Sequence, residues 1–177
     1  PRRQVLRAVY FDTPEGHLRK ARSGLRLRRE SGRWVQTFKR EQSASERLEL
    51  NQVLPTRSTQ LPALHLPDSL ALLVVVEGRG PKSRLTLGQL GPALVPQFES
   101  QVRRTSWQVR YQGSLLELAF DRGEVKTPQG LTSLIHELEI ELKEGQPEHL
   151  WQLAVELSTQ LGDGPVIEPR AKASRGY

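Results

Sequence analysis

Apolar and polar residues alternate with a period of two along most of this chain, the spacing of strands with one covered face. The clearest case runs from Gly24 to Lys39, where Leu25, Leu27, Trp34 and Phe38 fall on one side. Ser31-Gly32 supplies a two-residue turn between its halves. That turn sets Arg28 opposite Val35, Arg26 opposite Thr37 and Gly24 opposite Lys39. A second hairpin is predicted from Val102 to Arg122 around Gln112-Gly113, with Arg104 facing Asp121, Gln108 facing Glu117, and Trp107 and Val109 facing Leu118 and Leu116. Leu134–Lys143 alternates Glu137, Glu139 and Glu141 with Leu138, Ile140 and Leu142.

Weaker signals fill in the rest. Gln4–Asp12 and Arg47–Val53 read as strands, Thr13–Gly16 as a turn and His17–Arg22 as a short helix. Pro55–Pro67 has the composition of a loop. Asp68 could cap a helix over residues 69–76, although Val74-Val75-Val76 suits a strand equally well, and Thr86–Leu94 is ambiguous. Glu148–Leu161 spaces Leu150, Leu153, Ala154, Leu157 and Leu161 as the inner stripe of a helix, with Gly162 to stop it. Trp34 and Trp107 are expected in the core, and the four scattered histidines on the surface.

The polar faces change the picture. Arg26, Arg28 and Lys39 share one side of the first hairpin, and such a cluster is unfavourable unless an anion or carboxylates answer it. Arg47, Glu49, Arg104, Asp121, Glu137 and Glu139 occupy matching faces of other strands. A closed or nearly closed antiparallel sheet turns these faces into a channel, with helix 148–161 covering part of the outside. Guanidinium and ammonium groups in such a channel suit phosphate oxygens, and carboxylates beside them suit Mg²⁺ or Mn²⁺.

Composition adds limits. The chain has 177 residues, enough for a single domain over 1–177, and a net charge of +6 that favours anionic partners. It lacks cysteine, so disulfides and thiolate metal sites are excluded. No apolar run spans a membrane and no signal peptide opens the chain, so a cytoplasmic location is expected by default. The chain starts at Pro1 and holds no methionine, so further residues are expected before it.

The order of several short motifs carries a resemblance. They are Tyr10-Phe11-Asp12-Thr13-Pro14, Leu25-Arg26-Leu27-Arg28, Thr37-Phe38-Lys39 and Glu46-Arg47-Leu48-Glu49. They continue with Arg103-Arg104-Thr105-Ser106-Trp107, Phe120-Asp121, Glu137–Glu141 and Lys172–Tyr177. Together they resemble the CYTH superfamily, the triphosphate tunnel metalloenzymes. The resemblance implies an α+β fold: an eight-stranded antiparallel barrel or tunnel with outer helices, or one strand fewer if the first is absent. That first strand carries a Glu-x-Glu-x-Lys signature near the N-terminus, which does not occur in the opening segment of this sequence and is expected ahead of Pro1. A helical CHAD domain after Tyr177 is a second expectation of the same kind.

Carried over by position, the resemblance implies that Arg26, Arg28, Lys39, Arg104 and Lys172 bind phosphates. It implies metal ligation by Asp121, Glu137 and Glu139, and catalytic roles for Glu49 and Lys172. Arg47 and Glu141 fit the alternation without a definite role. The implied activity is Mg²⁺- or Mn²⁺-dependent hydrolysis of inorganic triphosphate, with polyphosphate and nucleoside triphosphates as other candidate ligands. Two alternatives stay open: a class IV adenylyl cyclase on the same scaffold, and a non-catalytic polyphosphate or nucleotide binder. Only the pI of about 10.1 speaks for nucleic acid, and interior charges argue against it.

Overall fold

The computed structural model describes residues 1–41, 47–66, 73–76 and 83–162. Its elements in chain order are β1 (Arg2–Asp12), α1 (His17–Lys20), β2 (Ser23–Glu30), β3 (Arg33–Glu41), β4 (Arg47–Val53), β5 (Leu73–Val76), β6 (Ser83–Thr86), α2 (Leu87–Leu90), β7 (Val95–Tyr111), β8 (Ser114–Lys126), β9 (Thr132–Glu144) and α3 (Pro147–Leu161). The main sheet is antiparallel and seven-stranded, in the order β4-β3-β2-β1-β7-β8-β9. Among the described residues this sheet has seven strands, in line with an eight-stranded tunnel short of its first strand, and β4 and β9 stand at opposite edges with no ladder between them. β5 and β6 pair separately as a two-stranded ribbon.

Both hairpins take the expected register. Arg28 pairs with Val35, Arg26 with Thr37 and Gly24 with Lys39. Arg104 pairs with Asp121, Trp107 with Leu118 and Gln108 with Glu117. Each turn uses two consecutive positive-φ residues, Ser31 (48°) with Gly32 (78°) and Gln112 (48°) with Gly113 (85°). That geometry matches the twist of the flanking strands, and the glycine takes it without a Cβ penalty.

One face of the sheet holds the main core. Val9, Phe11, Leu25, Leu27, Trp34 and Phe38 are buried there with Leu18 of α1 and Leu87 and Leu90 of α2. The segment after β4 is pinned across this core. The Trp34 indole donates to the Ser58 carbonyl at 2.9 Å, and the Gln36 side chain bonds the His65 carbonyl and amide at 2.6 and 2.8 Å. These bonds satisfy polar groups that burial would otherwise penalise.

The Asp12-Thr13 motif is structural. Asp12 is fully buried, and its carboxylate accepts from the amides of Leu18 (2.8 Å) and Arg19 (3.0 Å), fixing the start of α1. Gln97 sits at a bulge between the Tyr10–Phe98 and Phe11–Pro96 pairs, and its amide donates to the Asp12 and Thr13 carbonyls.

Some expectations need correction. Of the two readings left open for residues 69–76, the strand holds at residues 73–76, as the β-branched run favours; residues 67–72 lie outside those described. Trp107 is 40% exposed, because α3 packs over β9 and leaves β7 partly uncovered. On α3 itself only Leu153 is fully buried, and Leu161 is 61% exposed near the helix end. Two histidines are anchored rather than free on the surface. His17 Nδ1 lies 2.8 Å from Thr13 Oγ1, and His149 Nδ1 lies 2.8 Å from the buried Ser114 Oγ. No helix among the described residues is long and apolar enough to cross a membrane.

Candidate functional site

The other face of the main sheet collects the charges. Period-two alternation and the observed ladders place Arg26 and Arg28 (β2), Lys39 (β3), Glu49 (β4), Arg104 (β7), Asp121 (β8), and Glu137 and Glu139 (β9) on this one face. Beside them lies an apolar group of Leu6, Ala8, Tyr10, Phe98, Val102, Val125 and Ile135, in which the Tyr10 and Phe98 rings stack at 4.5 Å. Tyr10 is the direct neighbour of Arg26, and Ala8 of Arg28.

The cations of β2 are held without full compensation. The Nε atoms of Arg26 and Arg28 are buried and make no hydrogen bond. Arg28 keeps one partner, Glu30, at 2.7 Å from its Nη2. Burial first, then the charge of Arg26, makes protonated Arg28 less favourable than an ordinary guanidinium. The charge of Arg104 acts on it in the same direction. Buried guanidinium donors of this kind suit an anion, whose oxygens can accept the bonds they lack.

The β3–β4 edge is different. Lys39 Nζ lies 2.7 Å from Glu49 Oε2, and Asn51 Nδ2 donates to Glu49 Oε1 at 3.0 Å. Thr37, fully buried, donates to Asn51 Oδ1 at 2.7 Å. Partial burial would raise the Glu49 pKa, but the bonds from Lys39 and Asn51 outweigh it and hold the group below its usual value. Sequence reasoning missed Thr37 and Asn51. Their signal was available: each stands two residues from a chosen site residue on the same strand, hence on the same face.

The carboxylates gather at the β7–β9 side. Arg104 grips Asp121 with two bonds, Nε to Oδ1 at 2.7 Å and Nη2 to Oδ2 at 2.6 Å, and its Nη2 also contacts Glu139. The bond to Asp121, opposed by burial and aided by Glu139, raises the Arg104 pKa. Asp121 is fully buried. Asp121, Glu137 and Glu139 can each bring one carboxylate oxygen within 4.8 Å of the others. Three hard oxygen donors in that span fit Mg²⁺ or Mn²⁺. Glu141, by contrast, pairs with Lys143 at 2.8 Å and stands two residues along the strand from that group. Lys172 and the Arg47 side chain lie outside the described residues.

A strand-built scaffold with buried cations facing a carboxylate cluster on one side of its sheet belongs to a recognisable class of domain. Residues 1–166 match the CYTH domain, and the chain belongs to that family. An inorganic triphosphatase of Haemophilus influenzae is 29% identical over 169 residues, covering 96% of this chain and 44% of that protein. The chain therefore spans less than half the length of that curated relative. Among solved structures, a candidate adenylate cyclase from Bacillus halodurans superposes with a TM-score of 0.61 at 22% identity, over 98% of this chain and 82% of the other. A candidate adenylyl cyclase from Hippeastrum, reported with a dominant triphosphatase activity, gives 0.53 at 16% identity, over 98% and 81%. At these identities both likenesses concern the fold.

Proposed function

We propose that the charged face binds a triphosphate with a divalent cation and hydrolyses it, with inorganic triphosphate as substrate. The observation that carries this reading is the pair of buried, unpartnered guanidinium nitrogens of Arg26 and Arg28 on the same face as the Asp121–Glu137–Glu139 cluster. Membership of the CYTH family and the similarity to an inorganic triphosphatase support it.

In this reading Arg26, Arg28, Lys39, Arg104 and Lys172 hold the phosphate oxygens. Planar guanidinium forks fix the orientation of the chain of phosphates as well as neutralising it. Asp121, Glu137 and Glu139 would hold Mg²⁺ or Mn²⁺, which when bound would supply neutralisation of the phosphate charge. Hydrolysis forms one bond from water oxygen to the terminal phosphorus and breaks the bond from that phosphorus to its bridging oxygen. The products are phosphate and diphosphate, and the water proton passes to the phosphate products or to solvent. Glu49 accepts bonds from Lys39 and Asn51, which make it a weak base. It is therefore better suited to orienting the attacking water than to keeping its proton. The catalytic demand is positioning and electrostatics, which a rigid sheet meets well.

The test is product analysis with purified protein, Mn²⁺ or Mg²⁺, and either inorganic triphosphate or ATP. Phosphate release from inorganic triphosphate supports the reading. Cyclic AMP and diphosphate from ATP would favour the cyclase, and tight triphosphate binding without release would favour the non-catalytic binder.

A further inference from the structure

Arg104 occupies the carboxylates that a divalent cation would use. Both oxygens of Asp121 are taken by its guanidinium, at 2.7 and 2.6 Å, and Glu139 is contacted by the same Nη2. Asp121 is fully buried, so its charge depends on partners inside the protein rather than on solvent. A metal ion bound to Asp121 and Glu139 would stand beside a fixed positive charge that also holds its ligands.

The same guanidinium has a second destination. Its charge acts on Arg28, which lies on the same face of the sheet and carries a buried, unpartnered Nε. A phosphate group placed between them would answer both, and its oxygens fit the guanidinium fork as well as a carboxylate does. We propose that Arg104 is an internal cation competing with the divalent metal for Asp121 and Glu139, and that a triphosphate, by engaging Arg104, loosens its hold on these carboxylates and so favours the metal. Triphosphate and metal then tighten each other's binding through one side chain, and the coupling is reciprocal. This rests on the proposed triphosphate site, and assigns Arg104 a positioning role at the metal in addition to its phosphate contact.

The test measures two affinities of Arg104→Gln separately, so that metal and triphosphate do not complex each other in solution. Mn²⁺ is titrated calorimetrically into phosphate-free protein, and inorganic triphosphate into metal-free protein with chelator present. The expected result has opposite signs: Mn²⁺ binds about tenfold tighter than to wild type, while triphosphate binds about tenfold weaker, within the usual range of site-to-site coupling. Arg104→Lys keeps the charge without the fork, and should move Mn²⁺ affinity in the same direction by less. A variant that is merely damaged would weaken both ligands. Unchanged or weaker Mn²⁺ binding in either folded variant overturns the proposal, because Arg104 would then be supporting the metal ligands rather than competing for them. If wild-type protein releases phosphate from triphosphate while that Mn²⁺ result is negative, the coupling alone falls. If wild type neither binds nor cleaves triphosphate, the functional reading falls and takes the coupling with it.

Discussion

Asp121→Asn should unfold this domain at a clearly lower temperature even with no metal or substrate present. Asp121 has a 1% exposed side chain, and its partner Arg104 is 16% exposed. Removing one member of a buried ion pair leaves the other charge uncompensated and typically costs about 3–5 kcal/mol. Asparagine keeps the shape and one acceptor oxygen, and Glu139 still meets Arg104, which argues for the lower end. Glu139 itself is 46% exposed, so solvent screening limits its contact to under about 1 kcal/mol. For a domain of this size, about 3 kcal/mol corresponds to a fall in Tm of roughly 6–12 °C. The assay is thermal denaturation followed by circular dichroism in chelator-treated buffer, with Glu139→Gln alongside. Glu139→Gln should shift Tm by less than about 4 °C. If Asp121→Asn matches or exceeds wild type in Tm, the buried pair is not holding the sheet as described, and the reasoning is refuted.

Three further outcomes follow from the same geometry. Arg28→Gln should weaken triphosphate binding by roughly 10- to 100-fold, the value of one charge-assisted contact, while leaving Tm equal or higher, since it removes a buried cation that Arg26 repels; a fall in both would contradict the assignment. Glu49 is held below the ordinary carboxylate range, so its stabilising contribution is complete above that range and is lost as pH falls through the lower, folded-state value. The Tm difference between wild type and Glu49→Gln should thus be constant near neutrality and shrink on acidification, and a difference that grows in acid would show the sign to be wrong. Gly123→Ala places a Cβ 2.0 Å from the Gln101 carbonyl oxygen and 2.8 Å from Val102 Cα, backbone that cannot yield, so chemical denaturation should register a loss of about 1–3 kcal/mol or more.

The register of both hairpins was legible because two kinds of local information agreed. The turn residues Ser31-Gly32 and Gln112-Gly113 allow consecutive positive φ, and the alternation on either side leaves one register in which apolar and charged faces separate. From that register, Arg26, Arg28 and Lys39 had to share a face, and Arg104 had to meet Asp121. The short run Val74–Val76 was not legible, since an apolar segment of that length has no period to read. Trp107 misled for another reason: its face was assigned correctly, but whether an outer face is covered depends on where α3 lands, and nothing local to β7 encodes that. The depth of Asp121 and the chain of bonds from Thr37 through Asn51 to Glu49 also depend on neighbouring strands, so only their side of the sheet could be foreseen. The Asp12-Thr13 motif marked the family yet proved to cap α1 and support a bulge, which shows that a family signature can record folding rather than chemistry.

The central claim is that one face of this sheet grips condensed phosphate between guanidinium groups and a metal-bearing carboxylate cluster. A crystal structure of the protein soaked with Mn²⁺ and a non-hydrolysable triphosphate analogue, with data collected at the manganese absorption edge, tests it most directly. The account predicts an anomalous peak ligated by oxygens of Asp121, Glu137 and Glu139, and phosphate oxygens on Arg26 and Arg28. Manganese bound elsewhere on the chain, or an analogue seated outside this face, would contradict it.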